Sequence, residues 1–130
     1  MPTPHTIVAQ VRPADYTSEL AETIRARRLY TGISQRGFAK ALDVDRRTYQ
    51  RIENGQEDCW PGFLDQVHAV LDKFDAEVSA ISDAANVETD LTGNPVTLRV
   101  PTDPREEWER AVASRASVEN EDILLVATPA

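Results

Sequence analysis

Apolar positions along the chain follow three successive patterns. From residue 17 to 55 they recur at helical spacing in short pieces, and from 60 to 82 they hold one long register. After residue 95 two β-favouring runs flank a further helical stretch. In the first region Thr17 or Ser18 is placed to cap a helix that runs to about Tyr30, with Leu20, Ile24 and Arg28 on successive turns and Gly32 at its end. Ser34 then caps a second helix through about Leu42, whose inward face is Phe38, Ala39 and Leu42. Asp43-Val44 makes a short turn, Asp45 caps a third helix from Arg46 to Asn54, and Gly55 closes it. Three short helices with a tight turn between the second and third predict a helix-turn-helix unit.

Leu64, Val67, Leu71, Phe74, Val78 and Ile81 are spaced 3, 4, 3, 4 and 3 residues apart, an a/d heptad seam. They predict one long helix from Pro61, at the first helical position, to about Ser82. Phe63, Leu64 and Val67 are expected to close the core of the helix-turn-helix unit. Leu71, Phe74, Val78 and Ile81 are expected to meet another element or a second copy. Residues 83 to 95 read as a loop ending in Thr92-Gly93-Asn94-Pro95. Val96 to Val100 reads as a strand. A helix follows, capped by Thr102 or Asp103, with Pro104 at its first position, Glu106 and Glu107 in its first turn, and Trp108, Ala111 and Val112 as its buried stripe. Ile123 to Ala127 reads as a second strand, apolar on both faces. This small β-α-β unit must dock on the long helix or pair across a dimer, because two strands alone are not stable. The Pro-rich residues 1 to 16 read either as an extended arm, with Thr6 to Val11 as a candidate edge strand, or as a disordered segment. The expected organisation is thus an arm (1–16), a helix-turn-helix domain (17–71) and a dimerisation region (72–130), in a mainly α chain.

Composition narrows the class. The 130 residues are 41% hydrophobic and 28% charged, enough to bury a core. No apolar run is long enough to span a bilayer and no basic-then-apolar leader opens the chain, so a cytoplasmic protein is expected. With only Cys59, His5 and His68, neither a disulfide framework nor a Cys/His zinc site is expected, and no cofactor is called for. The net charge of −8 hides a division: residues 1–58 carry +1 and residues 59–130 carry −9. Between Ile24 and Ile52 eight basic residues face only Asp43 and Asp45. Such local excess on an acidic protein marks a polyanion site, with the acidic remainder expected to lie away from the polyanion.

At Ile33-Ser34-Gln35, Phe38-Ala39, Leu42-Asp43-Val44-Asp45 and Ile52-Glu53-Asn54-Gly55 the chain resembles the Cro/repressor (Xre-type) helix-turn-helix family. The resemblance covers about residues 20 to 71, departing from the usual pattern at Phe38, Asp43 and Asp45. It implies a lambda-repressor-like fold that binds double-stranded DNA. In overall layout, with a long helix and a terminal strand-helix-strand, the chain is also similar to YdiL-like and anti-CRISPR-associated regulators, which implies C-terminal dimerisation.

In the implied fold the third helix enters the major groove. Arg46, Arg47, Gln50 and Arg51 fall on one outward strip of it, at i, i+1, i+4 and i+5. Arg can engage guanine O6 and N7 with two parallel donors, and Gln can do the same to adenine, so this strip has the chemistry of a base reader. Ser34 and Gln35 open the second helix, whose exposed N–H groups favour a phosphate. Gln35 and Asn54 match family positions that touch the DNA backbone, and Arg36 and Lys40 add attraction. Arg28 and Glu53 match positions that form an internal ion pair and are read as structural. Tyr49 and Ile52 are core. No nucleophile elbow, phosphate loop or zinc helix motif occurs, so an enzyme is not expected.

The expected function is a prokaryotic or phage transcriptional regulator, most simply a repressor of its own operon. Its homodimer would be held by Leu71, Phe74, Val78, Ile81, Trp108 and the tail, and would read an inverted repeat with half-sites about 10 base pairs apart. Two other readings stay open. One is the antitoxin of a toxin-antitoxin pair, with the acidic C-terminal region as the surface for a protein partner. The other is a protein-binding module that no longer reads DNA.

Overall fold

The computed structural model describes residues 20–128. The arm with its candidate strand Thr6 to Val11, His5, and the candidate caps Thr17 and Ser18 lie outside that range. The described residues are mainly helical, with an N-terminal helix-turn-helix and a small C-terminal sheet, matching the expected fold class. The elements are α1 (Ala21–Thr31), α2 (Gln35–Leu42), α3 (Arg46–Glu53), α4 (Phe63–Thr92), β1 (Val96–Val100), a 3-10 turn (Pro104–Glu106), α5 (Glu107–Glu119) and β2 (Ile123–Ala127).

Local chemistry sets the ends of the short helices. The Ser34 hydroxyl accepts from the Gly37 amide at 3.1 Å, and one Asp45 carboxylate oxygen accepts from the amides of Arg47 and Thr48 at 3.1 and 3.2 Å. Between them Asp43 takes the left-handed conformation (φ 58°), which a short polar side chain tolerates, and the chain turns sharply from α2 into α3. Ile24, Ile33, Phe38, Ala39, Leu42, Tyr49 and Ile52 fill the space between these helices and are buried, with Phe63 and Val67 of α4 closing the base.

The long helix corrects two expectations. It starts at Phe63 rather than Pro61, because Pro61-Gly62 forms a turn with Gly62 at φ 88°. It also runs on to Thr92 through the predicted loop, stopped by left-handed Gly93. The inward seam continues past Ile81 to Ala85, which is 3% exposed. A small residue in that position buries little area and signals weakly, yet it lets β1 approach closely.

The strands form a two-stranded parallel sheet in register from Val96↔Ile123 to Val100↔Ala127. The unit docks on the chain's own α4. Val112, Ala113 and Ala116 are the buried stripe of α5, with Trp108 and Ala111 half-buried at its margin. Phe74 and Val78, expected to meet another element or a second copy, are 0% and 1% exposed within this one chain. Trp108 packs edge-on to Phe74, with ring centroids 5.6 Å apart. Leu71 and Ile81 are half-buried. The seam expected to be a dimer interface is therefore covered internally by α5. One continuous apolar cluster runs from Ile24 of α1 to Ile123 of β2. Among the described residues the large apolar side chains left exposed are Leu124 and Val126 on β2, Val87 and Leu91 on α4's last turns, and Leu29, Tyr30 and Val118 on α1 and α5.

Candidate nucleic-acid interface

A buried charge pair fixes α3 against α1. Arg28 grips Glu53 with two parallel bonds, Nε to Oε2 at 2.9 Å and Nη2 to Oε1 at 2.7 Å, and its Nη1 donates to the Ile33 carbonyl at 3.0 Å. Glu53 also accepts from the Tyr49 hydroxyl at 2.5 Å and from the Gln35 amide at 3.0 Å. Both carboxylate oxygens are thus doubly bonded, the condition a buried carboxylate requires. Burial opposes the charge on Glu53, but the bonds from Arg28, Tyr49 and Gln35 outweigh it and hold the pKa below the usual carboxylate range. The Arg28 pKa is raised, chiefly by its bond to Glu53, which outweighs the opposing effect of burial. Burial, together with the bond to Glu53, pushes the Tyr49 hydroxyl far up, so it stays a donor.

With Tyr49, Ile52 and Glu53 facing inward, the opposite side of α3 presents Arg46, Arg47 and Arg51 exposed and Gln50 half-buried. Arg46, Arg47 and Gln50 make no side-chain hydrogen bond or ion pair, and Arg51 makes one exposed contact, 3.2 Å to Glu57. Apart from that one contact, the strip is a row of unspent donors. An exposed ion pair such as Arg51–Glu57 is worth little and exchanges readily.

Residues 19–80 match the family of the helix-turn-helix domain. This part of the chain is similar to that domain, and its α1 to α3 have the helix-turn-helix arrangement. Neither a curated protein nor a solved structure matches the chain. Within the domain the second helix (α2) and the third (α3) lie on either side of the Asp43 turn, and the strip on α3 is the outward face of the third helix.

Other predicted residues are placed differently. Ser34 is at the exposed start of α2, but its hydroxyl donates to a carboxylate oxygen of Glu107 from α5 at 2.5 Å. Gln35 turns its amide inward to Glu53. Arg36 and Lys40 are exposed on the same side of α2 and line a cleft of about 540 Å³ with Lys73, Arg105 and Trp108. Asn54 is exposed just past α3. Trp108 anchors α5 within the chain, its indole N–H donating to Glu77 at 2.8 Å. Two roles were not legible. Glu107 was expected only to complement its own helix, yet it reaches α2. Asn120 went unnoticed, though it is buried and its amide donates to the Ser82 carbonyl and to Asn86, tying β2's approach to α4. Residues with several polar atoms at a helix end are the only sequence signal for such a hub.

Among the described residues no helix is long and apolar enough to cross a membrane, and no three His, Cys, Asp or Glu side chains cluster as metal ligands would. Cys59 is buried in the core.

Proposed function

We propose that the protein is a sequence-specific DNA-binding regulator of transcription of the Cro/repressor (Xre) type. Its α3 would lie in the major groove, with Arg46, Arg47, Gln50 and Arg51 on base edges. Ser34, Arg36, Lys40 and Asn54 would lie along the phosphates, as would Gln35 on releasing its bond to Glu53, so on this reading the chain binds its partner rather than transforming it. The observation that carries this is the strip itself: four long donor side chains on one rigid helix, almost none satisfied internally, on a helix pinned from behind by Arg28–Glu53. Side chains whose donors lack protein partners are matched to an acceptor surface outside the chain, and base edges with flanking phosphates supply one.

The regulator acts as a dimer on an inverted repeat and represses its own operon. A single domain reading a few base pairs binds weakly, and a second linked domain raises affinity through effective concentration. With Phe74 and Val78 covered, a surface available to a second copy is the outer edge of the sheet, where Leu124 and Val126 of β2 are exposed.

A gel-shift titration against the DNA directly upstream of the coding region, with unrelated competitor at near-physiological salt, tests the reading. Specific binding at nanomolar protein, with two symmetric footprints, is expected. Arg47→Ala or Arg51→Ala would lower specific affinity by about 1 to 3 kcal/mol and relax preference at one base pair. Equal binding to both DNAs, unchanged by either substitution, would refute it.

A further inference from the structure

The first turn of α2 is occupied from the far end of the chain. Glu107 opens α5, and its Oε1 accepts from the Ser34 hydroxyl at 2.5 Å while Oε2 lies 3.5 Å from the Ser34 backbone nitrogen. Gly37 makes room for it: a Cβ there would stand 1.8 Å from Glu107 Oε1 and 2.8 Å from Ile33 Cγ2. The other polar side chain of this turn, Gln35, is spent on Glu53 at 3.0 Å. Both side chains that open α2 are thus engaged inside the chain. Arg36 and Lys40 flank the turn without an ion pair.

A carboxylate and a phosphate oxygen ask the same of a helix start, namely hydroxyl and amide donors at the positive end of the dipole. We propose that Glu107 is a built-in competitor for the DNA backbone, holding the phosphate seat at the start of α2 so that DNA binding requires it to leave Ser34. The proposal rests on the DNA-binding reading above. Placement of α5 does not depend on this contact. Trp108 is bonded to Glu77 and packed on Phe74, and Arg115 donates to the Tyr30 carbonyl at 2.5 Å and lies over the Tyr30 ring at 4.2 Å. The Glu107 side chain can therefore let go of Ser34 while α5 stays docked. Ser34 is exposed at the contact, which makes the exchange for a phosphate readily reversible.

The test is fluorescence anisotropy of the full chain on a labelled duplex from directly upstream of its coding region and on an unrelated duplex of equal length, at several salt concentrations. Glu107→Ala is compared with Glu109→Ala, which removes the same charge two residues away without touching Ser34. Glu107→Ala is expected to tighten binding about three- to thirtyfold on both duplexes, since phosphate contacts carry no sequence information. It should also steepen the salt dependence by about one unit of slope. Glu107→Gln should move the same way by less, and adding Ser34→Ala should abolish the gain. Wild-type binding that Glu107→Ala leaves unchanged would overturn the competitor role while leaving the DNA-binding reading intact, and so would an equal gain from Glu109→Ala. Absence of binding by wild type and Glu107→Ala alike would overturn the DNA-binding reading, and the competitor with it.

Discussion

Phe74 is the side chain on which the two halves of the molecule meet. It projects from the middle of α4, is 0% exposed, and has the Tyr30 ring of α1 at 6.3 Å and the Trp108 ring of α5 at 5.6 Å, both edge-to-face. Phe74→Ala removes the transfer energy of six buried ring carbons and leaves a cavity that two large rings on separate helices cannot close without undocking. Such truncations cost about 3 to 5 kcal/mol, and loss of the ring pairs puts this one toward the upper end. For a chain of this size that corresponds to a fall of about 10 to 20 °C in melting temperature. Because one apolar cluster runs from Ile24 to Ile123, the loss must fall on the whole molecule. Urea unfolding by circular dichroism would show a single transition at lower midpoint with the slope preserved. Hydrogen exchange would accelerate equally in α3 and in β2. Exchange that rises in α5 and β2 while α1 to α3 keep their protection would refute the shared core, and a loss below about 1 kcal/mol would refute the packing of Phe74 itself.

Glu53→Gln should cost about 3 to 5 kcal/mol in chemical denaturation, because it leaves Arg28 charged and poorly solvated behind α3. The native pKa of Glu53 lies below its ordinary 4.5. The stability it adds is therefore present above that value and is lost as pH falls through the native pKa, so wild type should lose stability faster than Glu53→Gln below about pH 4.5. Asn120→Ala takes away the acceptor of the Asp122 amide at 3.0 Å and the donor that ties this corner to Ser82 and Asn86 of α4 at 3.2 and 2.9 Å. A loss of about 1 to 3 kcal/mol is expected, read as faster hydrogen exchange centred on β2 and the C-terminal turns of α4.

The parts of this fold that local chemistry dictates were open to reading. Ser34 and Asp45 cap their helices because a short oxygen-bearing side chain ahead of an apolar periodic run has one good use there. Asp103 likewise opens the turn before α5, bonded to the Arg105 amide and held at a pKa of about 2 by the Arg105 side chain. The strands at Val96 and Ile123 showed through β-branched runs bounded by turns. Legibility failed where an element depended on what it packs against. Residues 83–92 contain only Ala85 as a buried apolar side chain, while Val87 and Leu91 face outward, and a stretch whose inward face is one alanine reads as loop until β1 is known to lie beside it. The heptad seam was legible as a buried surface, but the choice between another element and a second copy as its cover was not, because periodicity reports that a face is covered and says nothing of which chain covers it. At the candidate interface the strip on α3 was legible from spacing alone. The engagement of Ser34 by Glu107 depends on a contact across 73 residues, and no local pattern encodes it.

That contact also changes the meaning of the charge division along the chain. A basic first part and an acidic second part suggest two separated surfaces, with the acidic one held off from a polyanion. In the folded chain the first acidic residue of α5 instead sits on the first turn of α2, while among the described residues no acidic side chain beyond Glu57 pairs with the strip on α3. The acidic half thus meets the part of the candidate interface proposed to touch the DNA backbone and leaves the part proposed to read bases clear. Phosphate contacts set how tightly and in what register a protein sits on a duplex, and base contacts set which sequence it prefers. On the DNA-binding reading, these two properties are therefore assigned to different residues. Changes at Glu107 or Gly37 would shift affinity on all sequences together, and changes at Arg47 or Arg51 would shift preference at particular base pairs. Sequence drift in the acidic half could then retune occupancy of an operator without altering which operator is read.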